Sequence, residues 1–392
     1  MKILRLAVVT THPIQYYAPI FQALARERAV VPRVFYTWSQ TAAAAVADPG
    51  FERAITWDVP LLEGYEYEFV PNTAARPGTD HFGGLRNPGL IRAIEAWGAD
   101  AVLVFGWNSH SHLQVMRYFK GRIPVFFRGD STLLNRAPWW RTLARRAFLS
   151  WVYRHIDVAI AVGSNNKDYY RWCGVPEARV AFAPHAIDTR RFADSDGAHA
   201  RRAAQWRHEL GIPATSRVCV FAGKFQLQKD PLLLLEAFKR CGAPGHLVLV
   251  GNGVLEPELR ALARGHAGIH FLPFQNQRAM PAVYRIGELF VLPSRSETWG
   301  LALNEAMASR RPLLASTRVG GARDLVTAQN GWTFPSGNLE QLAAVLRKSL
   351  ECDPAILDAM GAASELASVR WSTDAAAAGI AAAAVKFTGV SQ

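Results

Sequence analysis

Residues 290–309 read FVLPSRSETWGLALNEAMAS. Phe290-Val291-Leu292 is an apolar run of strand character, Glu297 stands in a turn, and a helix opens near Gly300. Glu305 follows Glu297 at an E-x7-E spacing. The first turn of a helix leaves backbone N–H groups unpaired and carries the positive end of the helix dipole. The junction Thr298-Trp299-Gly300-Leu301 is therefore suited to seat a phosphate, with Gly300 letting a ligand approach the backbone closely. Glu305 lies about two turns into the helix, and helical side chains lean back toward the N-terminus. Carboxylates touching a phosphate would repel it. Placed on either side of one they can hold hydroxyls, the pattern of a sugar–diphosphate–nucleoside. The spacing alone is weak and also fits two ordinary glutamates of a surface helix; its place after an apolar strand favours the ligand reading.

Outward from this stretch the chain alternates strands and helices. Arg217–Ala222 is a strand, Gly223-Lys224-Phe225-Gln226-Leu227-Gln228-Lys229 a loop, and Asp230-Pro231 a helix start, with Asp230 as N-cap and Pro231 in the first turn. Gly251-Asn252-Gly253 fails the dinucleotide fingerprint, because Glu256 stands where the third glycine belongs. In the first half, Leu4–Thr10, Val30–Trp38, Asp100–Phe105, Pro124–Phe127 and Asp157–Val162 read as strands, and Pro13–Arg28 as a helix with Pro13 in its first turn. The alternation predicts α/β architecture with parallel, doubly wound sheets. Ligands collect at the carboxyl ends of such strands. Three ends carry chemistry: His12 in Thr11-His12-Pro13, the His110-Ser111-His112 run, and Arg128-Gly129-Asp130. His12 acting on the acceptor or the leaving phosphate competes equally with a satisfied helix-start histidine. His-x-His lacks a third ligand at a telling spacing, so Ser109 as a helix cap with one histidine facing the ligand is preferred to a metal. Asp130 as proton acceptor and Arg128 as anchor for an acceptor phosphate compete with a structural Arg–Asp pair.

The Glu297–Glu305 segment resembles the signature of retaining glycosyltransferases of family 4. That resemblance implies the glycosyltransferase-B fold, two facing Rossmann-like doubly wound domains with the ligand in the cleft. It implies that Glu297 binds hydroxyls of the donor sugar, Glu305 the ribose, and the amides of Thr298, Gly300 and Leu301 the distal phosphate. Gly223, Lys224 and Lys229 are similar to the family's loop that grips the diphosphate, and the resemblance implies that Phe274 flanks the base. Val319-Gly320-Gly321-Ala322-Arg323-Asp324 resembles its G-G-x-x-E turn, and Pro184-His185-Ala186-Ile187-Asp188 the segment that closes its first domain, with His185-Ala186 replacing Asn-Gly. The implied substrate is a nucleotide-sugar, UDP- or GDP-linked, used without cofactor or metal. The expected divisions are 1–190 (acceptor side), a linker at 191–213, 214–370 (donor side), and 371–392 crossing back to the first domain. A nucleotide-sugar epimerase of similar fold and a non-catalytic nucleotide-sugar-binding protein are the competing readings.

The 392 residues are half apolar and 19% charged, with a formal net charge of +12. That charge implies an anionic partner; in the absence of a nucleic-acid motif we expect no nucleic acid. Residues 131–156 contain no acidic residue but carry Arg136, Arg141, Arg145, Arg146 and Arg154 among Trp139, Trp140, Phe148, Trp151 and Tyr153. Such a helix fits an anionic membrane surface, through 136–154, and equally a face packed on a sheet with solvated arginines. A membrane surface would suit an acceptor that is a saccharide or lipid-linked saccharide. Met1–Val9 reads as a first buried strand rather than a leader, since Arg5 interrupts it. The four cysteines form no C-x-x-C pair, which suits a reducing cytoplasm, with peripheral attachment to the inner membrane face. Asp194-Ser195-Asp196 is read as solvated linker.

Overall fold

The computed structural model describes residues 3–39, 46–48, 53–135 and 138–389. Arg136 therefore lies outside the described residues. Up to Ala186 the elements are β1 (Leu4–Thr10), α1 (Ala18–Leu24), β2 (Val30–Tyr36), β3 (Val46–Asp48), β4 (Arg53–Ile55), β5 (Glu66–Phe69), α2 (Leu90–Trp97), β6 (Ala101–Phe105), α3 (His110–Phe119), β7 (Val125–Arg128), α4 (Trp139–Tyr153), β8 (Val158–Ala161), α5 (Ser164–Trp172) and β9 (Val180–Phe182). Beyond it come α6 (Ala198–Glu209), β10 (Val218–Ala222), α7 (Pro231–Cys241), β11 (His246–Val250), α8 (Glu256–Ala263), β12 (Ile269–Leu272), α9 (Met280–Arg285), β13 (Leu289–Leu292), α10 (Leu301–Ala308), β14 (Leu313–Ser316), α11 (Ala322–Leu325), β15 (Gly331–Phe334), α12 (Leu339–Leu350), α13 (Pro354–Ser368) and α14 (Thr373–Thr388).

The chain forms two compact units. The first comprises Met1–Ala45, Pro60–Ala186 and Ser372–Gln392. Its sheet is parallel throughout, in the order β5-β2-β1-β6-β7-β8-β9. The second comprises Val46–Val59 and Ile187–Trp371, with a parallel sheet in the order β12-β11-β10-β13-β14-β15. Both are doubly wound. Central strands such as β6, β10 and β13 are buried along their whole length, as a parallel sheet covered on both faces requires. In the first unit α14 lays Ala376, Ala377, Ile380, Ala381 and Ala384 into the core built on β1, β6 and β8.

Three local readings change. α1 begins at Ala18, not Pro13, and Pro19 occupies its first turn. Residues 191–213 are not bare linker: they hold α6, whose Trp206 is buried and whose Arg207 reaches Glu288 at 2.8 Å. Asp194 is not a solvated side chain. It accepts from the amides of His199 (2.9 Å) and Ala200 (3.0 Å) and faces Arg285 at 3.4 Å. Burial alone would raise its carboxyl, but the two amides and Arg285 outweigh burial and hold it below the ordinary value.

Candidate functional site

In an open α/β sheet the ligand crevice lies where strand order reverses. In the second unit β10 runs next to β11 on one side and β13 on the other. The reversal is therefore at β10/β13, and the loops leaving these strands are Gly223–Lys229 and the turn containing Glu297. The sequence-predicted residues meet there.

Lys229 Nζ donates to Glu297 Oε1, and Ser294 Oγ donates to the same oxygen at 3.4 Å. The backbone of Glu297 is bridged to β14's exit: its N–H donates to Arg318 O at 3.2 Å and its carbonyl accepts from Gly320 N–H at 3.1 Å. A second pair locks the same two loops together. Arg295 grips Asp230 with both forks, at 2.7 and 3.0 Å, and Arg295 N–H donates to Gln228 O at 2.8 Å. Asp230 occupies the N-cap position of α7, but its side chain does not cap the helix. Its φ is +52° and its buried carboxylate is committed to Arg295.

Gly300 has φ +93°, and a Cβ there would sit 2.6 Å from Val319 Cγ1. Only glycine suits both the backbone and the space. Gly320 is equally constrained, since a Cβ would fall 1.9 Å from Thr298 O. The two loops thus touch backbone to backbone. Among the described residues, the amides of Gly300, Leu301 and Ala302 donate to no backbone carbonyl, which leaves the start of α10 able to receive an anion. Trp299 anchors the turn from beneath, its Nε1 donating to Asn304 at 2.8 Å and its ring packing on Trp371.

Glu305 is buried on α10, and Tyr284 Oη donates to its Oε2 at 2.5 Å. Nothing in the spacing of Tyr284 marked it as a partner. Gly223 closes β10, Lys224 is half-buried beside it, and Phe274, also half-buried, follows β12 at the sheet edge. Thr298 is exposed and Leu301 half-buried at the start of α10. Asp324 sits in α11, directly after the Gly320-Gly321 contact.

The first unit gathers a different set. Arg128 ends β7 and is buried. Its two terminal nitrogens donate to Ala183 O and Pro184 O, each at 2.7 Å. The guanidinium thus positions the 183–185 segment. Burial lowers it to about 10, with Tyr17, Tyr170 and Asp130 opposing. Asp130 is 41% exposed, and His185 Nε2 lies 4.0 Å from its Oδ2. Burial pushes His185 down to about 4 against the pull of Asp130, and pushes Tyr17 up to about 12, with Asp130 adding to the rise. His185 and Tyr17 complete a cluster of which the sequence marked only Arg128 and Asp130 as candidate groups. A pocket of about 240 Å³ opens beside it, walled by Trp107, Phe127, Tyr153, Tyr170 and Asp130. His12 follows β1, beside the β1/β6 reversal of the first unit's sheet, with Nδ1 at 2.9 Å from Thr11 Oγ1 and its ring edge-on to Trp38. Burial lowers its pKa, so it is neutral at pH 7.

Ser109 caps α3 by accepting from His112 N–H at 3.3 Å. His112 itself is fully buried, with Nδ1 at 2.9 Å from Gly106 O and Nε2 at 3.2 Å from Thr37 Oγ1. Both nitrogens are used internally, which makes it a core histidine rather than a ligand. Among the described residues no group of three or more His, Cys, Asp or Glu side chains is arranged to hold a metal ion.

Two family models match the chain. One, described as Glycosyl transferases group 1, covers residues 203–365; the other, Glycosyltransferase Family 4, covers residues 53–191. A curated D-inositol 3-phosphate glycosyltransferase of Xylanimonas cellulosilytica is 29% identical over 221 residues, 54% of this chain and 52% of the relative. The chain spans about half the length, or less, of the curated relatives it matches. Among solved structures, HepE from Anabaena in complex with UDP is similar at a TM-score of 0.72 and 17% identity, over 97% of this chain and 99% of that one. Sucrose-phosphate synthase from Thermosynechococcus elongatus is similar at 0.73 and 18%, over 99% and 100%. The fold shared with these structures is glycosyltransferase-B.

Proposed function

The chain belongs to glycosyltransferase family 4, and from that premise we propose that it moves a sugar from a nucleotide-sugar to a hydroxyl acceptor with retention at the anomeric carbon. The observation that carries this reading is the Lys229–Glu297 contact at the β10/β13 reversal, beside the open amides of α10. Lys224 and Lys229 neutralise the diphosphate, and the amides of Thr298, Gly300 and Leu301 take its distal phosphate. Glu297, held by Lys229 and Ser294, receives donor-sugar hydroxyls. Glu305, oriented by Tyr284, takes the ribose, and Phe274 flanks the base. Structures of HepE with UDP and with UDP-glucose support a UDP-linked donor by likeness of fold.

The bond from the anomeric carbon to the leaving phosphate breaks as the bond to the acceptor oxygen forms on the same face. The acceptor's proton passes to the departing diphosphate, and the lysines and α10 amides stabilise the charge that develops. On the acceptor side Asp130 is the exposed carboxylate, Arg128 holds the neighbouring segment, and neutral His12 offers a hydrogen bond. The acceptor is a glycan or a lipid-linked saccharide of cell-surface polysaccharide synthesis, met at the inner membrane face. No helix among the described residues is long and apolar enough to cross a membrane, and the exposed basic face of α4 supports peripheral attachment.

The test is a thermal-shift screen of UDP-, GDP-, ADP- and dTDP-sugars, followed by product NMR with the donor that binds. Glu297→Gln should lower turnover by about 10²-fold or more while leaving nucleotide affinity within a few-fold. A product of inverted configuration would overturn retention. A rearranged sugar formed without acceptor would favour an epimerase, and no response to any nucleotide would overturn the donor site.

A further inference from the structure

A concavity of about 970 Å³ in the second unit belongs to none of the machinery above. Arg207 of α6, Arg285 of α9, and Arg310 and Arg311 beyond α10 converge on it, against Asp194 and Glu365. Four guanidinium groups from three parts of the chain face two carboxylates. Arg285 pairs with Asp194, Arg310 with Glu365 and Asp358, and Arg207 with Glu288. Arg311 has no carboxylate partner among the described residues; its Nε and Nη1 donate to the carbonyls of Ser309 and Gly287, each at 3.0 Å. Burial lowers it to about 10, Arg285 and Arg310 add to the fall, and Glu288 and Asp358 oppose it.

The backbone ends α10 in an ordinary left-handed C-terminal turn: Arg310 N–H donates to Met307 O and Arg311 N–H to Ala306 O, each at 2.9 Å. Arg310 has φ +61°, and Asp230 is the other non-glycine residue with positive φ among the described residues. A side chain there costs about 1–2 kcal/mol relative to an ordinary conformation. Arginines after a helix C-terminus also suit its dipole. That accounts for charge at this end of α10, but not for Arg207 and Arg285 arriving from other helices. Ala200, Ala204 and Ile212 add a small apolar lining. The volume is that of a small-molecule site, and planar guanidinium groups match phosphate oxygens.

We propose that this groove binds a small organic phosphate, the phosphate against Arg311 and Arg310 and its uncharged body against Ala200, Ala204 and Ile212. The groove lies at the C-terminal end of α10, while the donor seat is at the N-terminal end, ~12 Å away along eight residues. It is thus a second anion site in this unit.

The test titrates inorganic phosphate, exchanged against chloride at constant ionic strength, into the parent protein and the variants K229A, R311Q and A204E. Ala204 is exposed on α6 and lines the groove, so a glutamate there repels the anion without breaking a structural bond. Saturable phosphate binding should persist in K229A and weaken about tenfold or more in R311Q and A204E. If R311Q does not fold, A204E decides. Absence of saturable binding in the parent, or binding lost in K229A and retained in A204E, overturns the proposal. UDP binding, measured separately on the same proteins, reports on the donor site alone, so either reading can fail without the other.

Discussion

Gly300 carries more of the donor site's geometry than either glutamate. Its left-handed backbone and the 2.6 Å and 3.1 Å approaches to Val319 and Leu292 leave no room for a Cβ. Gly300→Ala should cost about 2–4 kcal/mol of stability, from the conformational penalty and overpacking together. Because the turn would shift with it, UDP affinity should fall as well. Urea unfolding and calorimetric titration check both, and a variant within 0.5 kcal/mol of the parent would refute the close-packed turn. At this scale the sequence was informative where chemistry is local. Gly300, the apolar run before it and the lysines of the β10 loop could all be singled out. What it could not show were partners brought from afar. Tyr284 on Glu305, Arg295 on Asp230, and His185 beside Asp130 depend on which strands become neighbours, and no spacing encodes that. His112 shows the converse: a suggestive pair of histidines whose buried member serves the core.

Among the described elements, α4 stands out for its exposed apolar side chains, with Phe148 edge-on to Trp107 and Arg117 over the Trp151 ring. Trp139 is 77% exposed, Leu143 59%, Trp140 54%, Phe148 46% and Trp151 39%. Leu149, Val152 and Tyr153 supply the buried stripe. The periodicity that predicted this helix could not assign its aromatic residues to core or surface, because tryptophan serves either. The arrangement now favours a surface role: amphipathic rings exposed among Arg141, Arg145 and Arg146 suit the headgroup region of an anionic bilayer. Each basic residue near such a surface contributes about 1 kcal/mol, so reversing all three to glutamate should weaken binding to anionic vesicles by about 100-fold or more. Co-sedimentation with vesicles containing phosphatidylglycerol measures this. Parent protein that stays in the supernatant at low salt, or a triple variant that still pellets, would remove α4 from the membrane.

Across the whole chain the two units should answer acid differently. His112 and His185 both belong to the first unit, and burial holds each near a pKa of about 4, against 6.5 when unfolded. A depressed histidine is neutral in the native state, so the unfolded chain takes up more protons between those values. Stability from these groups is present in full above pH 6.5 and is lost as pH falls toward 4. Between pH 7 and pH 5 a single such histidine withdraws about 2 kcal/mol. In the second unit His246 and His270 are also lowered, but both are only partly buried. Lowering the pH to 5 should therefore accelerate hydrogen exchange in peptides spanning β6 and α3 more than in those spanning β13 and α10. Exchange rates are compared after correction for their intrinsic pH dependence. His112→Gln should flatten the first unit's response by roughly half, at the cost of some stability at pH 7 from the altered contacts to Gly106 and Thr37. Equal sensitivity of the two units, or a variant with the parent's full pH slope, would mean that the buried imidazoles do not control acid stability.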